Sequence, residues 1–230
     1  MRGMFTIAIG WALGCTPPAA AVDLPSASVR VHLMQSSEAS IDVERSDWNA
    51  IRGEYFSFIN EVFVQAGMQW KIDRVVGNKM ENMTVIERAL SGEFPGGKAL
   101  AKNVDMVRHM APNGWDIYVV SQTGRLGFGG AYVCAIQEQM GRGAIFVPML
   151  DKNGGPIQKR KWAHEFGHAM GLSHTPCTEA FADNLMMSGA CGLAKEGRIA
   201  LNDVQVSRIR AQLNRGGPVR CDMEKSDGHL

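Results

Sequence analysis

The chain has 230 residues, enough for one domain whose core needs neither metal nor disulfide to hold it. Its composition, 45% hydrophobic and 20% charged without repeats or low-complexity tracts, rules out a disordered or fibrous protein, and a formal net charge of +1 removes the electrostatic case for nucleic acid, which needs a clustered Lys/Arg excess. The one basic cluster, Lys159-Arg160-Lys161, reads as a solvated helix face.

Residues 1–21 read as an export signal: Arg2 gives the positive start, Met4 to Gly14 the apolar run, and Ala19-Ala20-Ala21 a small-residue cleavage site before Val22. The run is too short to persist as a membrane span. The alternative is a lipoprotein anchored through Cys15, although Ala12 and Leu13 fit that signal poorly. Either route takes the protein out of the cytosol, and cleavage after Ala21 gives a secreted or periplasmic mature chain, 22–230.

Ser28 to Met34 alternates Val29, Val31 and Leu33 with Arg30, His32 and Met34, the period of a half-buried strand, so His32 is expected on the solvent side. Ser46 caps a long helix in which Trp48, Ile51, Tyr55, Phe58, Ile59, Val62, Phe63 and Ala66 form a core stripe that ends at Gly67. A second strand follows over Gln69 to Val76. Met83 to Leu90 reads as a short helix broken by Phe94-Pro95-Gly96-Gly97, and Leu100, Val104, Val107 and Ala111 mark another amphipathic segment on which His109 is exposed or capping. Trp115 to Ser121 is an apolar run suited to a buried central strand. Four glycines between Thr123 and Gly130 predict a tight or mobile loop. Ala131 to Ile136 and Ala144 to Met149 complete five strands, and a further helix starts near Pro156. Beyond it the chain is loop-like to Asn202, where Val206, Ile209 and Leu213 define a last helix closed by Gly216-Gly217-Pro218, with a polar tail from Asp222.

The helix starting near Pro156 carries the chemistry. His164-Glu165-Phe166-Gly167-His168-Ala169-Met170-Gly171-Leu172-Ser173-His174 has the spacing HExxHxxGxxH. Residues four apart share a helix face, so His164 and His168 point two imidazoles at one place. Gly171 supplies a sharp exit that returns His174 as a third ligand. Glu165, next to the first ligand, can reach a metal-bound water without being a ligand itself. Three protein nitrogens and one open position mark a catalytic site for a single Zn2+. Average residue usage puts chance occurrence of the five fixed positions on the order of one in a hundred thousand.

Removing or lipidating Cys15 leaves four cysteines, Cys134, Cys177, Cys191 and Cys221, an even set that predicts two disulfides after export. Three pairings are open to them. Cys177 and Cys191 flank the loop after His174 and are the favoured pair, which leaves Cys134 for Cys221; zinc-thiolate binding has no CxxC spacing behind it.

The extended histidine motif, with Asn184-Leu185-Met186-Met187-Ser188-Gly189 following it, resembles the metzincin clan of zinc endopeptidases. Met186, twelve residues beyond His174, matches the methionine of the clan's tight turn beneath the metal, with Met187 as the alternative. The Cys177-to-Cys191 segment is also similar to small secreted bacterial members of snapalysin-like character, although those use an aspartate where this chain has His174. The clan tyrosine that follows the methionine is replaced by Met187 and Ser188, so no tyrosine receives a catalytic role.

The resemblance implies an α+β metzincin-like zincin: a twisted mixed five-stranded sheet with helices and the zinc helix in an N-terminal subdomain (22–171), and a loop-rich C-terminal subdomain (172–230) ending in a helix. It implies a monomeric endopeptidase, with Glu165 as general base, that binds a protein or peptide in extended form along an edge strand near Gly130 to Ile136, with a pocket wall around Gly189 to Lys195. Two other functions fit the same ligands, namely an exported zinc hydrolase of cell-wall peptides and a catalytically silent zinc-binding interaction domain.

Overall fold

The computed structural model describes residues 23–36, 48–80, 115–122, 130–131, 144–150, 153, 155–194 and 199–217. The signal segment with Cys15, the cap at Ser46, the segments around Met83 to Leu90 and Leu100 to Ala111 with His109, the strand from residue 132, Cys134, Cys221 and the tail lie outside them.

Four strands run parallel in the order β2, β1, β3, β5: β1 (Ser26–Ser36), β2 (Gln69–Met80), β3 (Trp115–Gln122) and β5 (Ala144–Leu150). A two-residue segment, β4 (Gly130–Ala131), pairs antiparallel with β5 at the far edge. The five full strands expected are thus four parallel strands and a short antiparallel edge among the described residues. Parallel neighbours need a crossover, and residues 48–66 supply the one between β1 and β2.

That crossover, α1, is one helical run that changes pitch, α over Trp48–Ala50, π over Ile51–Phe56, α again over Ser57–Phe63 and 3-10 over Val64–Ala66. Ile51, Tyr55, Ile59, Val62, Phe63 and Ala66 are buried as the stripe predicts, and the run stops where Gly67 takes a φ of 71°.

The core lies between α1, the sheet and α2 (Lys159–Ala169), the helix that carries the motif. Trp162 packs against Tyr55 with ring centroids 4.4 Å apart, and Phe166 meets the edges of Phe56 and Trp70. Two buried indoles also anchor α2 by hydrogen bonds: Trp115 Nε1 donates to the Ala169 carbonyl (3.2 Å) and Trp162 Nε1 to the Pro148 carbonyl (2.8 Å). Apolar burial fixes which face of α2 turns inward, and the indole bonds fix its height on the sheet.

Three local expectations are corrected. His32 is fully buried: its Nε2 lies 2.7 Å from Asp116 Oδ1 and its ring stacks on Tyr118 at 4.4 Å. The face of β1 that carries His32 is exposed at Ser26 and Ser28 but closes at His32, where Asp116 and Tyr118 of the neighbouring β3 cover it. Pro156 does not open α2, since it bridges back to Leu150 and the helix begins at Lys159 behind Gln158. Arg160 is not a free solvated charge, because its guanidinium donates to the Asn184 carbonyl.

After α2 the chain makes short 3-10 turns and single bridges before α3 (Asp203–Asn214). Here Gln205, Ile209 and Gln212 are buried, so the inward face includes two amides beside the expected apolar positions. Gln65 and Arg210 bind α3 and its approach to α1 through Gln65 Nε2 to Ile199 O (2.8 Å) and Arg210 Nε to Ala66 O (2.9 Å).

Candidate metal centre

The end of α2 is a Schellman turn. Gly171 N–H donates to His168 O (2.8 Å), Leu172 N–H donates to Gly167 O (3.0 Å), and Gly171 has a φ of 77°, which a β-carbon would oppose. The reversal serves two histidines at once. It sends the chain back so that His174 meets the helix, and it aims the Leu172 carbonyl at His168 Nδ1, 2.8 Å away.

The three Nε2 atoms of His164, His168 and His174 form a triangle with every edge 3.1 Å. These edges are not hydrogen bonds. His164 Nδ1 donates to Leu185 O (2.9 Å) and His168 Nδ1 to Leu172 O (2.8 Å), so in the neutral rings the proton is on Nδ1 and each Nε2 offers a lone pair. Lone pairs converging at 3.1 Å repel one another unless a cation draws them together. Three nitrogens about 2.0–2.1 Å from a tetrahedral ion would stand about 3.3 Å apart, so the triangle fits a metal of that size to about 0.2 Å. Among the described residues this is the one cluster of three potential ligands.

The electrostatics agree. Burial pushes the His164 imidazole down to about 4, and although its bond to Leu185 works the other way, the His174 ring and Arg160 lower it further. Burial and the two neighbouring rings push His168 down to about 3, and burial also lowers His174. All three rings are therefore neutral at pH 7, the form that ligates. Glu165 follows His164 on α2 and is partly buried.

Met186 is fully buried and packs beneath α2 at the residue between the two helical ligands: a Cβ on Gly167 would fall 2.5 Å from the Met186 sulfur. Met187 is buried too, but it bridges to Thr175 instead. A glycine inside a helix costs about 1 kcal/mol relative to alanine, and this close approach accounts for it. Gly167→Ala is expected to lower stability by about 1–3 kcal/mol through overpacking, read as a shift in the urea midpoint; an unchanged midpoint would place the sulfur elsewhere.

Cys177 and Cys191 are at disulfide distance, with S–S 1.90 Å and Cα atoms 5.5 Å apart, and they close the loop that contains Asn184 to Met187. Several groups at this centre escaped sequence reasoning. The Leu172 and Leu185 carbonyls have no side-chain signature, and Gly167 could have been suspected only as a glycine inside a helix. Asn184 and Gln205 form a buried amide pair, for which the Asn202-x-x-Gln205 capping pattern was the one available signal. The chain matches no known protein-family model and no curated protein sequence.

Proposed function

We propose that the protein is an exported zinc-dependent endopeptidase of metzincin type. The observation that carries this reading is the 3.1 Å triangle of Nε2 atoms, two of them with tautomers set by backbone carbonyls, on a helix whose next residue after the first ligand is Glu165. Imidazole donors in a tetrahedral arrangement suit zinc among the common divalent ions, and three protein ligands leave a position for substrate chemistry. When bound, the ion polarises a carbonyl and lowers the pKa of a water to about 7.

The chain's own groups do the rest. His164, His168 and His174 present neutral nitrogens without rearrangement, because the Leu185 and Leu172 carbonyls hold two of the rings in place. Glu165 accepts the proton of the attacking water and returns it to the leaving amine nitrogen. An extended substrate would add main chain to main chain beside β4, the last strand of the sheet among the described residues. The Cys177–Cys191 pair supports an oxidising compartment, and no helix among the described residues is long and apolar enough to cross a membrane.

Purified protein incubated with casein should cut it at internal bonds, lose the activity to a chelator and regain it with zinc. Chelator-resistant cleavage would overturn the reading. Activity confined to cell-wall peptides would move the substrate class, and zinc uptake without any hydrolysis would leave a binding domain.

A further inference from the structure

Gln205 lies 31 residues beyond His174, on another helix, yet it is connected to the metal centre through hydrogen bonds to the Asn184 side chain and the Leu185–Met186 peptide. Its side chain pairs with that of Asn184 in both directions: Asn184 Nδ2 donates to Gln205 Oε1 (2.9 Å) and Gln205 Nε2 donates to Asn184 Oδ1 (3.0 Å). Two backbone donors fix which end of each amide is oxygen, Met186 N–H bonding Asn184 Oδ1 (2.9 Å) and Asn202 N–H bonding Gln205 Oε1 (3.0 Å). Both residues are buried, at 4% and 6% exposure, so neither amide can exchange its partner for bulk water.

The peptide between Leu185 and Met186, whose N–H bonds the Asn184 side chain, is the one that holds the first ligand. Leu185 N–H donates to Ala200 O (2.9 Å), Leu185 O accepts from His164 Nδ1 (2.9 Å), and Met186 O accepts from Thr175 N–H (3.0 Å). From the other side Arg160, one turn before His164 on α2, donates to the Asn184 carbonyl. The turn is therefore suspended between α2 and α3, and the direction of the Leu185 carbonyl depends on where Asn184 is held.

We propose that Gln205 is a positioning residue for the metal centre: through Asn184 it fixes the Leu185 carbonyl that sets the tautomer and aim of His164. The proposal rests on the reading of the three histidines as metal ligands. Gln205 also closes the capping box of α3, in which Gln205 N–H donates to Asn202 Oδ1 (2.9 Å), so the test must separate the two roles.

Gln205→Glu separates them. A glutamate keeps the capping box, whose third position takes Glu as readily as Gln, but sets an oxygen against Asn184 Oδ1 where an N–H stood. Asn184→Asp places the same oxygen-oxygen clash in the pair and leaves the Asn202 side-chain half of the cap, Gln205 N–H to Asn202 Oδ1, in place. Asn202→Ala removes the cap and leaves the pair. Zinc affinity is measured by competition with a chromogenic chelator at pH 7.5, alongside urea midpoints.

Q205E and N184D are each expected to weaken zinc binding about 10-fold or more, the usual effect of losing a group behind a metal ligand, whereas N202A lowers the midpoint and keeps the affinity within about twofold. If both Q205E and N184D bind zinc as the parent does, or if N202A weakens zinc as much as they do, Gln205 is only a helix cap. A parent that takes up no zinc overturns the metal reading itself, an outcome distinct from either. Should Q205E fail to fold, N184D with N202A carries the comparison.

Discussion

Glu165→Ala is expected to bind one zinc ion per chain as the parent does and to cleave casein roughly 10²–10⁴-fold more slowly, the range that a positioned general base contributes. The two halves of this expectation have separate origins. On the proposed reading zinc would be held by His164, His168 and His174, whose Nε2 triangle does not involve the carboxylate, so the metal content should be unaffected. The rate depends on a group that takes a proton from the attacking water, and alanine offers none. Glu165→Gln should be as slow, because the amide keeps shape and hydrogen bonding but accepts no proton at neutral pH. Metal analysis of dialysed protein and initial cleavage rates decide it. A variant with full zinc and the parent rate removes Glu165 from the chemistry; one that loses zinc makes it a support of the ligands instead.

How far the site could be read in advance depended on whether its parts are local. His164 and His168 share a helix face because of the helical period, and Gly171 lies where a Schellman turn needs a positive φ, so spacing in the chain translates directly into spacing in the fold. The Cys177 to Cys191 proximity follows from the same locality, since both ends belong to one loop. The α1 stripe was equally legible, because a face with six buried residues shows its period. What escaped depends on neighbours distant in sequence or on backbone groups. His32 looked solvent-facing because alternation is read strand by strand, whereas its burial comes from Asp116 and Tyr118 of the neighbouring β3. Arg160 looked solvated because nothing near it in sequence reveals that the Asn184 carbonyl will arrive over it. The Leu185 and Leu172 carbonyls, which set the two helical imidazoles, belong to residues whose side chains merely fill space. The Asn184–Gln205 pair joins positions on opposite sides of the last loop, and each residue alone is an ordinary polar residue.

Acid should act on the metal-free protein before it acts on the folded site. His164 is held down to about 4 and His168 to about 3, against 6.5 for an exposed imidazole, in both cases chiefly by burial. Between pH 6.5 and about 4 the unfolded chain takes up protons at these residues while the folded chain does not, so stability is complete above pH 6.5 and is lost as pH falls through that window. For two histidines the loss from pH 6.5 to pH 5 comes to at most about 3 kcal/mol, since local opening of the site can relieve part of it. Urea unfolding of the chelator-treated protein at the two pH values measures it, and a midpoint that stays level would mean that the rings are protonated in place. The folded site behaves differently. Because its two helical ligands stay neutral until well below pH 6, protons compete poorly there, and zinc affinity should change less than about tenfold from pH 7.5 to 5.5. Three solvated histidines would lose affinity steeply from pH 6.5 downward, by up to three protons per ion released. A steep fall beginning near pH 6.5 in a competition titration would therefore show that the triangle opens to water without its ion, and that the carbonyls of Leu172 and Leu185 do not hold it shut.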